Sequence, residues 1–485
     1  IKEMELSGLV EVASHTHNLH NGINANPSGG QLPSVIAPEY KNGKYETEDA
    51  YKNRLKSDFT RSVQTLVNHV GKKPRVMVWP YGQFNDVAVQ LARQAGMPHY
   101  FSLGEKIINK VGDKHIGRLL LNAETDLNTV KNYLDGIDES KQIQRVLHVD
   151  LDYVYDADKA QQAKNLDKLI DRIYRYGVTT VYLQAFSDPD GDGVADALYF
   201  PNKYLPVRDD IFGRIAWQLQ TRAGVQVYAW MPVLAFDLRK GVKEAEYVID
   251  SRTGKPSTKA YLRLSPYNKQ NVEIIKSIYN DLSFYAKFNG ILFHDDAFLT
   301  DFEGAEDDHA EGMVSPQAKQ KTQDLIQLTH QLTDALKPYF LRGSYSLKTA
   351  RNLYASVITN PNAEEWLAQN LKTLTDNYDT TAIMAMPYME NEQPISQKEA
   401  YQWFASLIEN VKAQAPLDKV LFEFQAVNWR TQKPIPESEL IDWMTLLQKN
   451  HIYSYGYYPD NFLTNQPDMN KMKPYFSVNT NVGKP

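Results

Sequence analysis

From residue 141 onward the chain alternates short apolar runs with longer amphipathic stretches. The runs at 146–154, 178–186, 225–233, 291–295, 352–358, 381–387, 420–427 and 451–457 are rich in aliphatic and aromatic residues and have strand length. Between them, 158–176, 210–222, 270–288, 316–336, 364–376, 397–413 and 436–448 read as helices, with apolar residues spaced as in Leu166, Leu169, Ile170 and Ile173. Gly177, Gly224 and Asn289-Gly290 supply stop signals. Strands alternating with helices predict an α/β fold with a parallel sheet. Eight such units predict a (β/α)8 TIM-type barrel with long loops. The alternative is an open doubly wound sheet, but no Gly-rich phosphate fingerprint follows the first run.

The first 140 residues read differently. Gly8–Ala13 predicts a strand running into a histidine cluster, and 18–45 a polar loop. A helix is expected near 47–70, a strand over Arg75–Trp79 ending in Pro80-Tyr81-Gly82, and a helix near 85–96. Two domains follow, 1–140 and 141–485.

Composition narrows the function. With 42% hydrophobic and 23% charged residues the chain can build an ordinary core, and no run reaches the roughly 18 apolar residues of a membrane helix. A net charge of −6 argues against nucleic acid and suits a neutral or cationic ligand. The absence of Cys excludes disulfides, thiolate metal sites and cysteine nucleophiles. The 30 Tyr and 7 Trp suit the flat faces of sugars, although packing alone also uses such rings. The chain opens on Ile1 with working structure already under way, so an upstream segment bearing a signal or anchor is expected.

Strand side chains alternate faces. In the first barrel run, Leu147, Val149 and Leu151 share one face, and His148, Asp150 and Asp152 the inward one. Gln184, Glu423 and Gln425 face inward by the same count. In the fourth run, Leu292, His294 and Asp296 lie opposite Ile291, Phe293 and Asp295. Carboxylates near strand ends are costly to bury, which makes them candidates for acid, base or nucleophile. A helix cap or a salt bridge is the alternative for any one of them. Asp295-Asp296 is the sharpest pair, and only one of the two can aim at a substrate. Glycoside hydrolysis needs two carboxylates about 5 to 9 Å apart, which facing strands can supply. Trp230, Tyr388, Trp429, Tyr457 and Tyr458 gather at strand ends as sugar platforms or as core, whereas Trp443 falls in a helix. Asp188-Pro-Asp190-Gly-Asp192-Gly193 opens like a calcium loop, but Tyr199 stands at the twelfth position, so a tight polar turn is the stronger reading.

His15-Thr16-His17-Asn18-Leu19-His20 is dense in imidazole for a chain with 11 His. His15 and His20 resemble the metal-binding histidines of the second motif of NodB-type polysaccharide deacetylases. Trp79-Pro80-Tyr81-Gly82 resembles their third motif, in which the Tyr amide helps form an oxyanion hole. The Arg expected just before it is replaced by Met77, Val78 and Trp79, with Arg75 the nearest substitute.

Together with Val149–Tyr155, Tyr182–Gly193, Tyr228–Val233 and Phe293–Ala297, these motifs resemble the poly-β-1,6-N-acetyl-D-glucosamine N-deacetylases of Gram-negative biofilm formers along essentially the whole chain. The resemblance implies a partial deacetylase domain holding a divalent metal (Zn, Ni, Co or Fe) through His15 and His20, with Tyr81 in the oxyanion hole. It implies a cofactor-free barrel that binds and endo-hydrolyses the partly deacetylated polymer. It also implies an outer-membrane lipoprotein facing the periplasm and an export porin as partner. The family's Asp-Asp motif and catalytic-acid His have no counterpart here. The third metal ligand is therefore missing, and this chain is not expected to deacetylate by itself. For the barrel, Asp295 and Asp296 are the expected catalytic residues, with Glu423 as second carboxylate and Asp150, Asp152, Trp230, Asp237 and Tyr261 as sugar contacts. The competing readings are a non-catalytic polymer-binding export module and an α-amylase-like glucanase.

Overall fold

The eight apolar runs pair into one closed barrel in the computed structural model, which describes residues 1–103, 108–123, 125–135, 143–257, 261–303, 314–343, 346–391 and 393–478. The strands are β1 (Arg145–Val149), β2 (Thr180–Gln184), β3 (Gln226–Met231), β4 (Gly290–Phe293), β5 (Lys348–Tyr354), β6 (Thr380–Met384), β7 (Val420–Gln425) and β8 (Tyr455–Tyr458). Each pairs in parallel with the next in sequence, and β8 closes on β1. Both faces of every strand are covered, so the runs read as nearly continuous apolar sequence rather than as alternation.

The helices follow the sequence signals closely. Asp158 caps Lys159–Tyr176 by accepting from the Ala160 amide, and Gly177 ends it at φ 73°. Ser396 and Glu399 form a reciprocal capping box on Gln397–Gln414. The helix expected over 364–376 is two, Glu364–Leu367 and Leu371–Asn377, because Ala368 turns left-handed at φ 47° and Asn370 recaps the chain.

Several strand expectations were shifted or ran too long. β1 stops at Val149, and Leu151–Val154 is a helical turn. β5 begins at Lys348, ahead of the expected 352, and Ser356–Thr359 is helical. β8 begins at Tyr455, not at 451. The turns beyond the barrel ladder are buried as well, and composition does not distinguish a buried strand from a buried turn.

Two small residues permit closure. A Cβ on Gly456 would lie 2.5 Å from the Val146 carbonyl oxygen, and one on Gly290 would lie 2.8 Å from that of Lys348.

Residues Ile1–Lys141 form a second compact unit together with Asn280–Lys287 and Asp334–Leu347. The domain boundary expected at 140/141 lies outside the described residues. This unit carries a parallel three-stranded sheet of Val76–Val78, His99–Leu103 and His115–Arg118. Helix Glu48–Val70 is capped by Thr47 and ended by Gly71 at φ 87°, and Asn85 caps Asp86–Gln94. Tyr51, Leu55, Phe59, Trp79 and Phe84 pack in its core with Phe284 and Tyr339. The strand expected over Gly8–Ala13 is absent; only Ser14 pairs, bridging Met77.

Replacing Gly456 by Ala should destabilise the chain by about 1–3 kcal/mol, the usual cost of forcing a methyl into packed space. The urea unfolding midpoint reads this, and an unchanged midpoint would mean that the β8–β1 seam relaxes freely.

Candidate active site

The C-terminal ends of the strands form the mouth of the barrel, where this fold keeps its chemistry. β4 ends at Phe293, and the next three residues, His294, Asp295 and Asp296, take separate directions.

Asp295 is 5% exposed. The Tyr261 hydroxyl reaches both of its oxygens at 2.9 Å, Tyr354 donates to Oδ2 at 2.9 Å, and His294 Nε2 lies 3.0 Å from Oδ1. Burial alone would raise its pKa, but the His294 charge and hydrogen bond and the two phenols outweigh it and hold the carboxyl below its ordinary value. Burial would lower the pKa of His294, but Asp295 reverses that and leaves it raised, which favours the charged form of the ring beside the carboxylate. Tyr261 is itself placed by the loop after β2: Gly193 sits under its ring at φ 79°, where any Cβ would overlap the ring.

Asp296 has a different role from its neighbour. Fully buried, it accepts the backbone amides of Val233, Leu234 and Ala235 at 2.6–3.0 Å and so fastens the loop after β3. Its oxygens are committed to backbone, and sequence could not tell it from Asp295. The strand parity that sets Asp296 opposite Asp295 ends with β4 at Phe293.

Asp150 is the second carboxylate at the mouth. It follows β1, is 8% exposed, and has only a long contact from the Tyr458 hydroxyl at 3.5 Å. Burial first, then the charge of Asp152, push its pKa up to about 7. Its Oδ1 is buried without a partner.

Trp230 from β3 packs among the rings of the mouth. Its ring is 5.2 Å from that of His294, 5.1 Å from His148 and 5.5 Å from Tyr458, and Trp429 lies 6.2 Å beyond Tyr458. Such an aromatic floor with polar walls suits a pyranose ring. Of the other strand-end aromatics, Tyr457 is fully buried against Tyr176 and Phe476, and Tyr388 packs near Trp443 with its hydroxyl on Glu439. Trp443 stacks on Phe404 in the helical layer.

Three more expected residues turn out to be braced. Glu423 is 1% exposed and saturated by His148 Nε2 at 2.8 Å and Asn352 Nδ2 at 2.7 Å. Asp152 accepts from Arg208, Tyr199, Ser187 and the Asp188 amide, tying the β1 turn to the loop after β2. Asp237 is paired with Arg239 at 2.8 Å, which with burial opposing it leaves its pKa lowered. Asp237 lines a shallow depression with Asp196, Tyr204, Pro206, Lys240 and Gly241.

Asp188 accepts the amides of Gly191, Asp192 and Gly193, which makes the segment a tight polar turn. Asp188, Asp190 and Asp192 can each bring one oxygen within 4.8 Å of the others, and no further observation points to an ion there.

In the first unit, His15 Nδ1 lies 2.8 Å from the Val78 carbonyl, and His15 Nε2 lies 3.0 Å from His20 Nδ1. A ring whose Nδ1–H is held by a carbonyl presents a bare Nε2, the form in which imidazole binds metal. His15 and His20 thus fit two corners of a metal site. Among the described residues, no group of three or more His, Cys, Asp or Glu includes them. Tyr81 packs edge-on to His20 at 4.6 Å and holds a left-handed φ of 57°. Asp58 shapes the histidine loop by accepting the amides of His17 and Asn18, a role with no signal in the sequence. Tyr354 was also missed, although it shares the inward parity of Asn352 on β5.

A glycoside-hydrolase barrel joined to a polysaccharide-deacetylase unit is a carbohydrate-active hydrolase. The profile of hypothetical glycosyl hydrolase family 13 matches residues 148–458, and that of polysaccharide deacetylase matches 1–100. The poly-β-1,6-N-acetyl-D-glucosamine N-deacetylase of Escherichia coli (strain K12) is 39% identical over 504 residues, 99% of this chain and 74% of that protein. The PgaB (BpsB) glycoside hydrolase domain from Bordetella bronchiseptica matches with a TM-score of 0.64 at 40% identity, over 70% of this chain and 100% of that one. A Staphylococcus aureus (strain MSSA476) poly-β-1,6-N-acetyl-D-glucosamine N-deacetylase is 29% identical over 140 residues, 29% of this chain and 42% of that protein. The chain belongs to the poly-β-1,6-N-acetyl-D-glucosamine N-deacetylase family.

The raised pKa of Asp150 has a stability consequence with a definite sign. The fold favours its protonated form, so the wild type loses stability as pH rises from about 4 through about 7. Asn at this position does not titrate. Asp150→Asn should therefore match the wild type near pH 4 and exceed it near pH 8, on the order of a few kcal/mol. Thermal melts at the two pH values check this, and equal midpoints at pH 8 would remove the claim that Asp150 is strained when ionised.

Proposed function

We propose that the barrel endo-hydrolyses the partly de-N-acetylated β-1,6-glucosamine polymer, with Asp150 as general acid and Asp295 as the ionised carboxylate facing the reacting carbon. One observation carries the assignment: two buried carboxyls at one mouth have their pKa values pushed in opposite directions. Such a split separates acid from nucleophile or base. Asp150 keeps its proton near neutrality and gives it to the leaving glycosidic oxygen. Asp295, with its charge fixed by His294, Tyr261 and Tyr354, faces the positive charge that develops on the sugar ring. Trp230 is the floor for that ring. Asp296 and Glu423 hold the frame.

Residues His15 and His20 would hold two corners of a divalent metal, which when bound supplies an activated water for amide hydrolysis. The Tyr81 amide is the oxyanion donor in this reading. Residence in the periplasm as an outer-membrane lipoprotein and hand-over to an export porin belong to the same proposal, supported by the similarity to the E. coli deacetylase over 99% of the chain. Among the described residues no helix is long and apolar enough to cross a membrane.

Mass spectrometry of partly deacetylated polymer incubated with the chain tests the reading. Shorter oligomers are expected. Asp295→Asn and Asp150→Asn should each slow cleavage by about 10²–10⁴-fold, the range of a lost acid or base, while polymer binding persists. Wild-type cleavage should fall as pH rises through about 7, where Asp150 loses its proton. Binding without any cleavage would instead favour a module that holds the polymer for export.

A further inference from the structure

We propose that Gly193 is a positioning residue for Asp295. Its bare α-carbon forms the slot in which the Tyr261 ring lies, and the slot sets the Tyr261 hydroxyl against both oxygens of the carboxylate. The inference deepens the reading of the barrel mouth as a hydrolytic site with Asp295 as its ionised carboxylate, and rests on it.

The geometry at Gly193 excludes any other residue. Its φ of 79° lies in the left-handed region that side chains rarely enter. A Cβ there would stand 2.0 Å from Tyr261 Cε1 and 2.4 Å from Cδ1. The ring also packs near His294 and Phe298, at 5.8 and 6.2 Å between centroids. Ring and hydroxyl are one rigid plane, so a ring that yields to a methyl carries its hydroxyl away from the 2.9 Å contacts it makes with Asp295.

Gly193 itself is held from elsewhere. Its amide donates to Asp188 Oδ2 at 2.9 Å, and the Asp188 amide donates to Asp152 Oδ2 at 3.1 Å. Two residues on, the Ala195 amide donates to the Ala235 carbonyl at 2.9 Å, and the Ala195 carbonyl accepts from the Asp237 amide at 3.1 Å. Ala235 gives its own amide to Asp296 at 2.6 Å. The chain of contacts therefore leaves Asp296, runs through the loops after β3 and β2, crosses to Tyr261 at Gly193 and ends on Asp295, the neighbour of its starting point. One carboxylate anchors the loops, the loops place the phenol, and the phenol holds the other carboxylate.

Among the described residues, His294, Tyr354 of β5 and Tyr261 bond to Asp295, and Asp296 adjoins it in the chain. Of these, Tyr261 is the one that meets Gly193. A hydrogen bond donated to a carboxylate favours its charged form. Displacing Tyr261 therefore moves the Asp295 titration to higher pH, and the acid limb of cleavage moves with it.

The test is 13C NMR titration of the full chain labelled at Asp, with the Asp295 signal assigned by its loss in Asp295→Asn. Tyr261→Phe, which removes only the hydroxyl, should raise the titration midpoint of Asp295. Gly193→Ala should raise it too, and should add nothing in the Tyr261→Phe chain. Gly193→Asn separates the slot from backbone strain, because Asn tolerates a left-handed φ but still places a Cβ under the ring. It should resemble Gly193→Ala, and its easier backbone keeps the test open if the Ala chain folds poorly. Each single variant should slow cleavage of partly deacetylated polymer by about ten- to a hundred-fold, the scale of a lost hydrogen bond to a charged group. An Asp295 midpoint unmoved by both Gly193 variants, a wild-type midpoint in Gly193→Asn alone, or effects of Gly193→Ala and Tyr261→Phe that add would overturn the proposal. The titration is read without substrate. A chain that titrates as described and never cleaves would sink the hydrolase reading and leave the positioning of Asp295 standing.

Discussion

A carboxylate can leave water only if donors replace the water, and among the carboxylates buried in the barrel are Asp150, Asp295, Asp296 and Glu423. Each meets the requirement differently. Asp296 takes three backbone amides and becomes part of a loop. Glu423 takes an imidazole and an amide and becomes part of the core. Asp295 takes two phenols and an imidazole, whose hydrogen bonds favour the charged form. Asp150 takes almost nothing and stays protonated to about pH 7. The proposed chemistry rests on the two whose surroundings leave something undone.

The scaffold around them consists of loops braced against one another. Asp152 gathers Arg208, Tyr199 and Ser187 from beyond β2. The Asp188 turn brings Gly193 under Tyr261, and Tyr261 in turn holds Asp295. Asp295 is therefore positioned by residues far from it in sequence. A polar network of this kind is worth more intact than the sum of its pairs, so damage at Asp152 or Gly193 is felt at Asp295.

The first unit follows the same logic with imidazoles. Val78 fixes the His15 ring through a carbonyl and Asp58 fixes the loop through two amides, which leaves His15 and His20 facing each other. Two imidazoles held this way fit two corners of a metal site without closing one.

The sequence by itself determined the architecture. Eight apolar runs, seven amphipathic stretches and their glycine and Asp or Ser caps specify a parallel barrel, because burial on both strand faces and helical periodicity are local properties of the chain. It also placed the two histidines and narrowed the barrel chemistry to a handful of inward acids. It could not rank them. Asp295 and Asp296 are adjacent and identical in type, and only the amides of residues 233–235 and the phenols of Tyr261 and Tyr354, brought from elsewhere in the chain, set them apart. It set Glu423 beside Asp295 and Asp296 as a second carboxylate, because strand alternation does not reveal that Glu423 lies deep and bonded to His148 and Asn352. The pattern along a chain fixes which way a side chain points, whereas its protonation and freedom depend on donors that arrive only when distant segments close around it.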